Sequence, residues 1–394
     1  MGKVRLKDID CFISDGNYSS KYPRSGEFVK EGIPFIRCNN FKNNTITKED
    51  MYYITKEKHS ILQKGHLRQG DILITTRGSL GQVVIVPKEY EDANINAQIV
   101  LLRVNKEKIY NRYLMWQLKS ENIQNQIMKN KTGTALPQLP ISKLEKIELF
   151  IVDNIQEQIE IATKLDKIQE IIDIRKKQIE ELDKLIKSQF VEMFGNVNDN
   201  KNSYEIKTLS EVFEFIKDGT HSTPTYTDDK INGIKFLSAK DVTKGIINWE
   251  NIKYIPLELH EQLVKRVKPQ KDDILLAKNG TTGVCAKVDR DEIFDIYVSL
   301  ALLRPKEGYL GDYLVQAINN DMTKEQFDRS LKGVGVPNLH LGEIRKTKIF
   351  LPPIELQKEF VLFVDQVDKS KAAVQKSLDE TQVLFDSLMQ KYFG

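Results

Sequence analysis

The stretch PFIRCNNFKNN (34–44) crowds Arg37, Asn39, Asn40, Lys42 and Asn43 into one polar turn after a strand-like start. A guanidinium can hold the O6 and N7 atoms of guanine, and a carboxamide the N6 and N7 atoms of adenine. Each does so through two bonds, at about 1–3 kcal/mol of discrimination. Much further along, KFLSAKDVTKG (235–245) sets Ser238, Lys240, Asp241 and Lys244 in the corresponding place. One setting with two sets of hydrogen-bonding groups suits two surfaces that read different bases, although polar loops are also commonly just solvated.

Other polar loops also recur in pairs. DGTHSTPTY (218–226) packs His221, Thr223 and Tyr226 among small polar residues, and its counterpart carries Asn17 and Tyr18 in NYSSKYP (17–23). The turns TTRGSLGQ (75–82) and AKNGTTGV (277–284) each have glycines three apart, which permits close backbone approach. Arg77 and Ser79 in one, and Lys278, Asn279 and Thr281 in the other, suit phosphate contact, while a plain hairpin turn remains the other reading. KTGTALP (131–137) brings Lys131, Thr132 and Thr134 around Gly133, and LKGVGVPN (331–338) brings Lys332 and Asn338. Both run into an apolar strand, so this stretch reads first as a structural latch and second as a backbone contact.

Catalytic patterns are missing. There is no GxxxxGK[ST] phosphate loop, no H-E-x-x-H and no metal-spaced Cys/His set. The [DN]-P-P-[YF] tetrapeptide of amino-methyltransferases is absent too. His59, His66, His221, His260 and His340 are scattered, with no two at ligand spacing, so neither a metal nor a cofactor is expected in this chain. Apart from His221 they read as surface or core residues. Cys11, Cys38 and Cys285 are far apart and read as buried small hydrophobes in a reducing compartment.

The elements that position these loops come in duplicate. EGIPFIR (31–37) is echoed by NGIKFLS (232–238), GDILITTRGSLGQVVIV (70–86) by DDILLAKNGTTGVCAKV (272–288), and LLR (101–103) by LLR (302–304). The shift stays near 200, so a whole domain with its connector is repeated in tandem. Strand-like runs over Asp71–Thr75 and Gln82–Val86, and over Asp273–Leu276 and Val284–Val288, flank the glycine turns. Helical patches follow at 111–127 and 311–327.

Each copy ends in a long heptad helix. Leu165, Ile168, Ile172, Ile179, Leu182, Ile186 and Met193 keep three- and four-residue steps with Arg175 and Gln189 as polar breaks. Phe360, Val364, Val367, Val374, Leu378, Phe385 and Leu388 do the same around Lys371 and Thr381. The expected fold is α+β. Two mixed α/β domains, 1–150 and 196–352, alternate with long helices, 151–195 and 353–394. The helices form an antiparallel coiled coil with pseudo-two-fold character, whose length should set the distance between the domains.

Net charge over 394 residues is only +3, yet residues 1–150 hold 24 Lys/Arg against 16 Asp/Glu. The excess sits where a polyanion-facing surface would need it. No secretory signal or membrane-length apolar run is evident, so a soluble cytoplasmic protein is expected.

DGTHSTPTYTDD with NGIKFLSAKD, DILLAKNGTTG and LPPIELQKEF together resemble the specificity subunit of type I restriction–modification systems, over essentially the whole chain. The family's usual PPL-x-EQ junction departs to VDNIQEQ in the first copy, and Leu356 replaces its Glu in the second. The resemblance implies two target-recognition domains reading an asymmetric bipartite DNA site. It also implies a scaffold for two modification subunits that methylate adenine with S-adenosylmethionine, and for motor–nuclease restriction subunits using ATP and Mg2+. The chain itself would be non-catalytic. A free-standing bipartite DNA-binding protein, and an enzyme with an unrecognised site, are the competing readings.

Overall fold

The computed structural model describes residues 2–18, 21–42, 44–134, 136–195, 203–243, 245–331 and 338–394. Asn43, Lys244 and Lys332, with Gly333 and Pro337 of the repeated stretch, lie outside the described residues. The chain divides into two units, residues 1–176 with 376–394, and residues 177–375.

The first unit runs β1 (Gly2–Arg5), β2 (Cys11–Asp15), β3 (Ile33–Ile36), β4 (Phe41–Lys42), β5 (Thr45–Ile46), β6 (Tyr52–Ile54) and α1 (Lys56–Ile61). It continues through β7 (Ile72–Thr75), β8 (Val83–Ile85), β9 (Asn94–Ile95), β10 (Ile99–Val104), α2 (Asn111–Lys119), α3 (Glu121–Asn130), α4 (Ile141–Leu144) and β11 (Glu148–Ile151) into α5 (Ile155–Phe194). An antiparallel sheet of order β2-β10-β7-β8 is its centre, beside a smaller sheet β6-β3-β9 in which β3 and β9 are parallel. The β1–β11 pair closes the unit.

The second unit repeats this with β12 (Glu205–Thr208), α6 (Leu209–Val212), β13 (Phe213–Asp218), β14 (Ile234–Leu237), β15 (Val242–Thr243), β16 (Ile246–Ile247), β17 (Lys253–Ile255) and α7 (Leu257–Leu263). Then come β18 (Ile274–Ala277), β19 (Cys285–Lys287), β20 (Phe294–Ile296), β21 (Leu300–Pro305), α8 (Gly311–Asn319), α9 (Asp321–Arg329), α10 (Leu341–Lys346), β22 (Lys348–Leu351) and α11 (Ile354–Phe393). Its sheets have orders β13-β21-β18-β19 and β17-β14-β20, with β12–β22 closing.

The unbroken apolar run of β18 follows from its two covered faces. Ile274 and Leu276 pack with Tyr313 and Leu314 of α8, while Leu275 and Ala277 pack with Phe294 and Ile296 of the small sheet. Leu276→Ala should therefore cost about 2–5 kcal/mol. Arg103 bonds Asp71 through Nε and Nη2 at 2.8 and 2.7 Å, and Arg304 bonds Asp273 likewise at 2.8 Å for both. This explains why LLR and the Asp before β7 and β18 recur together.

Each helical patch expected as one helix is two. Ser120 ends α2 and accepts the Ile123 N–H, and Asn320 ends α8 and accepts the Thr323 N–H. Short polar side chains at a helix start stop the preceding helix as they cap the next. Among the cysteines only Cys285 is fully buried, and Cys11 and Cys38 are half-buried. Desolvation still pushes their thiols up, to about 12 for Cys11 and about 11 for Cys38.

The long helices follow the heptad reading, each spanning 40 residues. In the first unit the Arg175 guanidinium donates to the Ser377 carbonyl and the Thr381 hydroxyl, and Trp116 and Tyr113 pack on Phe385 and Phe393. In the second, Lys371 pairs with Asp183, and Phe190 and Phe194 pack on Phe360. In the second unit position 183 meets 371 while 190 and 194 meet 360, so the two helices run antiparallel there. Three of the four polar seam positions, Arg175, Lys371 and Thr381, bond across it, which fixes register. Gln158 anchors α5 by accepting the Tyr110 N–H at 2.8 Å and donating to the Val152 carbonyl at 2.7 Å; Gln357 donates to Pro352 at 2.8 Å.

Candidate nucleic-acid interface

In the first unit three loops converge on Asn96–Gln98, the tight link between β9 and β10, and a fourth joins through one of them. The Asn96 N–H donates to the Ile36 carbonyl at 2.9 Å, which ties in the Arg37–Lys42 turn. The Thr76 N–H donates to the Gln98 carbonyl at 2.8 Å, which ties in the glycine turn. The Tyr18 hydroxyl donates to the Ala97 carbonyl at 2.9 Å. Gly16 lies so close that a Cβ would stand 2.4 Å from the Ile95 carbonyl oxygen. The 131–139 loop joins through Gly78 N–H to Pro137 O and Leu139 N–H to Thr76 O, at 3.2 and 2.8 Å. Its Gly–Pro part therefore braces the glycine turn, and only the later part reaches the helix, where Tyr113 Oη and Gln117 Nε2 hold the Phe150 carbonyl at 2.9 and 2.6 Å.

Tyr297–Ser299 is the matching hub in the second unit. Tyr297 N–H bonds Leu237 O at 2.8 Å, Val298 N–H bonds Thr220 O at 2.9 Å, and Lys278 N–H bonds Ser299 O at 2.8 Å. The Ser299 hydroxyl also accepts the Ala239 N–H at 2.9 Å. A Cβ on Gly219 would fall 1.9 Å from the Ile296 carbonyl oxygen, so only glycine fits this approach.

This frame presents some of the expected side chains and takes others inside. Asn39, Lys42, Ser79, Lys131, Thr132 and Thr134 are exposed in the first unit, with Tyr18 42% exposed and Arg77 half-buried, its guanidinium 5.1 Å from the Tyr18 ring centre. Lys42 is ion-paired to Glu49. In the second unit His221, Thr223, Lys240 and Thr281 are exposed, Tyr226 is 41% exposed under the Lys253 ammonium, and Asn279 and Asn338 are half-buried.

Six expectations need correcting. Asn17 is buried and bonds the Lys64 carbonyl and the Gln63 N–H. Asn40 and Asp241 are buried turn clasps, accepting the N–H of Arg37 and of Ser238 three residues back, at 2.9 and 2.7 Å. Asn and Asp suit this because their short side chains bond nearby backbone. Ser238 spends its hydroxyl on the same Asp241 carboxylate. Lys278 is buried in an ion pair with Asp218 at 3.0 Å. Arg37 is also engaged, stacked 3.4 Å from the Tyr52 ring centre and bonded to the Asp50 carbonyl.

Charge is placed differently beneath the two frames. Asp218 meets Lys278, Arg266 at 2.7 Å and His221 at 3.2 Å. Burial alone would raise its carboxyl, but the Lys278 bond and the neighbouring positive charges hold it below the ordinary value. In the first unit, Lys119 borders a cavity of about 330 Å3 with Phe41, Lys42, Asn44, Gln82 and Gln124. Burial, reinforced by Arg112, lowers its ammonium to about 8. Neither the two hubs nor Lys119 stands out in the sequence. The signal for the hubs was their position, directly before the strands that carry the repeated LLR.

A family model described as the type I restriction modification DNA specificity domain matches residues 2–184 and again residues 201–381. The chain belongs to that family. It carries two copies of the specificity domain, one for each convergent loop frame. It is 26% identical over 390 residues to the putative type I restriction enzyme MjaX specificity subunit of Methanocaldococcus jannaschii, covering 92% of this chain and 85% of the relative. The EcoKI specificity subunit of Escherichia coli is 22% identical, with 92% and 82% covered. Two solved structures share the fold. One, from a study of complex assembly in a type I restriction–modification system, has a TM-score of 0.61 at 18% identity and covers 100% of this chain and 97% of its own. The S subunit from M. genitalium has a TM-score of 0.53 at 17% identity, covering 100% and 96%. Among the described residues, no helix is long and apolar enough to cross a membrane.

Proposed function

We propose that each loop frame reads one half of an asymmetric, bipartite DNA site, on behalf of modification and restriction subunits that do the chemistry. One observation carries this reading: the two frames keep the same backbone bonds while their exposed side chains differ. Tyr18 faces out where His221 does in the other copy and Asn39 where Lys240 does, and the half-buried Arg77 stands where the half-buried Asn279 does. A frame kept only for stability would have no use for such divergence at its rim.

The long helices are the scaffold for two modification subunits. Ile174, Leu362, Val383 and Leu384 are at least half exposed outside the heptad seam, which suits partners that cover them. S-adenosylmethionine, ATP and Mg2+ belong to those partners, and this chain contributes recognition without catalysis. The test is to map methylated adenines in the host genome with and without this gene. The reading requires an interrupted motif with two different half-sites that vanishes with the gene. Two identical inverted half-sites, or an unchanged methylation pattern, would overturn it.

A further inference from the structure

We propose that the first unit binds one divalent transition-metal ion through His59, His66 and Asp92. The two histidines are seven apart in sequence, and the fold brings their rings to 4.4 Å between centres. His59 Nε2 stands 3.3 Å from Asp92 Oδ1, and His66 Nδ1 stands 4.0 Å from the same oxygen. All three ligand atoms lie within 4.8 Å of one another. Metal–ligand bonds of about 2.0–2.2 Å put neighbouring ligands about 3.3–3.5 Å apart in a tetrahedral site. One edge already has that length, and the others need only a small side-chain movement at the exposed Asp92.

The outer bonds orient both rings. His59 Nδ1 is bonded to Asn94 Oδ1, and His66 Nε2 is 2.6 Å from the Leu62 carbonyl. A carbonyl can only accept, so both of those nitrogens carry the hydrogen and the opposite nitrogens turn lone pairs toward Asp92. The second unit supports the direction of the first bond, because His260 Nδ1 meets Asp295 there at 2.7 Å, and an ionised carboxylate also only accepts. Three electron-pair donors converging on one point repel unless a cation or a proton lies between them. A histidine whose other nitrogen is fixed by an oxygen acceptor is the usual arrangement of a metal ligand. Two imidazoles with one carboxylate favour the zinc class of ions over Mg2+ and Ca2+, which take oxygen ligands.

The second unit lacks the set. Arg103 bonds the His66 carbonyl where Arg304 bonds that of Lys268, so an ammonium replaces the second imidazole. Ile293, two residues before Asp295, replaces Asp92. The ion is therefore specific to the first unit. It ties the α1–β7 connection to the turn before β9, from which the Asn96–Gln98 hub follows.

The experiment is to equilibrate the full chain with buffered Zn2+, remove free metal, and count bound zinc, with Co2+ absorption reporting the ligand set. One ion per chain is expected. His66→Ala and Asp92→Asn should each weaken binding by roughly a hundredfold, since even loss of an outer partner costs ten- to a hundredfold. Asp92 is exposed, so its amide variant keeps the fold, which circular dichroism checks, and zinc should raise the melting temperature of the parent but not of this variant. No zinc at micromolar free metal, a proton being the occupant instead, would overturn the proposal. So would equal affinity in the parent and both variants.

Discussion

The two units share a frame and differ in what lies under it. In the second, Asp218 is buried against Lys278, itself buried, with Arg266 and His221 alongside. The matching Asp15 of the first unit pairs with Lys64, whose side chain is 56% exposed, and Thr76 occupies the place of Lys278. The bidentate Arg–Asp pair, the turn clasp and the hub are kept in both. Duplication has thus held fixed what positions the loops, and has let both the rim and the charge beneath it drift.

The largest consequence concerns Asp218. Asp218→Asn leaves the Lys278 charge buried without its counterion, which should cost roughly 3–5 kcal/mol. Asp15→Asn, opposite a half-exposed lysine, should cost about 1 kcal/mol or less. Equal costs in denaturant unfolding would remove the contrast. The pH dependence has a definite sign. The folded Asp218 carboxyl lies below its ordinary 3.8, so its contribution is full above about pH 4 and is lost as acid protonates the folded state. The Asn variant should lack that acid-dependent loss.

A smaller effect distinguishes the first unit. Burial lowers the folded Lys119 ammonium to about 8 from an ordinary 10.5, whereas Asn319, which precedes Asn320 as Lys119 precedes Ser120, bonds Cys285 and cannot titrate. The unfolded chain binds the extra proton between those values, so stability from this group rises with pH across that window. Melting curves of the parent and Lys119→Met should therefore converge from pH 7 toward pH 10. Parallel curves would place the lysine in water.

The smallest stability changes belong to the rim. Asn39→Ala, His221→Ala and Lys240→Ala should each stay within about 0.5 kcal/mol of the parent. Each should nonetheless weaken DNA binding. Lys240→Ala alone should reduce the salt dependence by about one phosphate contact if its ammonium meets the backbone. Stability losses without affinity losses would return these side chains to a structural role.

How far the sequence can be read follows from these same residues. The repeat, the glycine hairpins and the two long helices were legible because period-2 runs, paired glycines and heptads act locally. Arg175, Lys371 and Thr381 interrupt the apolar steps of the seam in the sequence itself. Asn40 and Asp241 misled because a carboxamide or carboxylate in a polar turn looks the same whether it faces a ligand or its own backbone. Lys278 misled because its burial depends on Asp218, 60 residues away. The His59–His66 meeting was hidden for a related reason, as it depends on how α1 and the turn before β9 pack.

The central claim is that each frame reads its own half-site. It is tested most directly by the methylation motif of a hybrid in which residues 204–350 are replaced by the matching segment of a related specificity subunit. The account predicts that one half of the motif changes to that of the donor while the other half stays as it was. A hybrid that folds and methylates, yet changes both halves or neither, would contradict it.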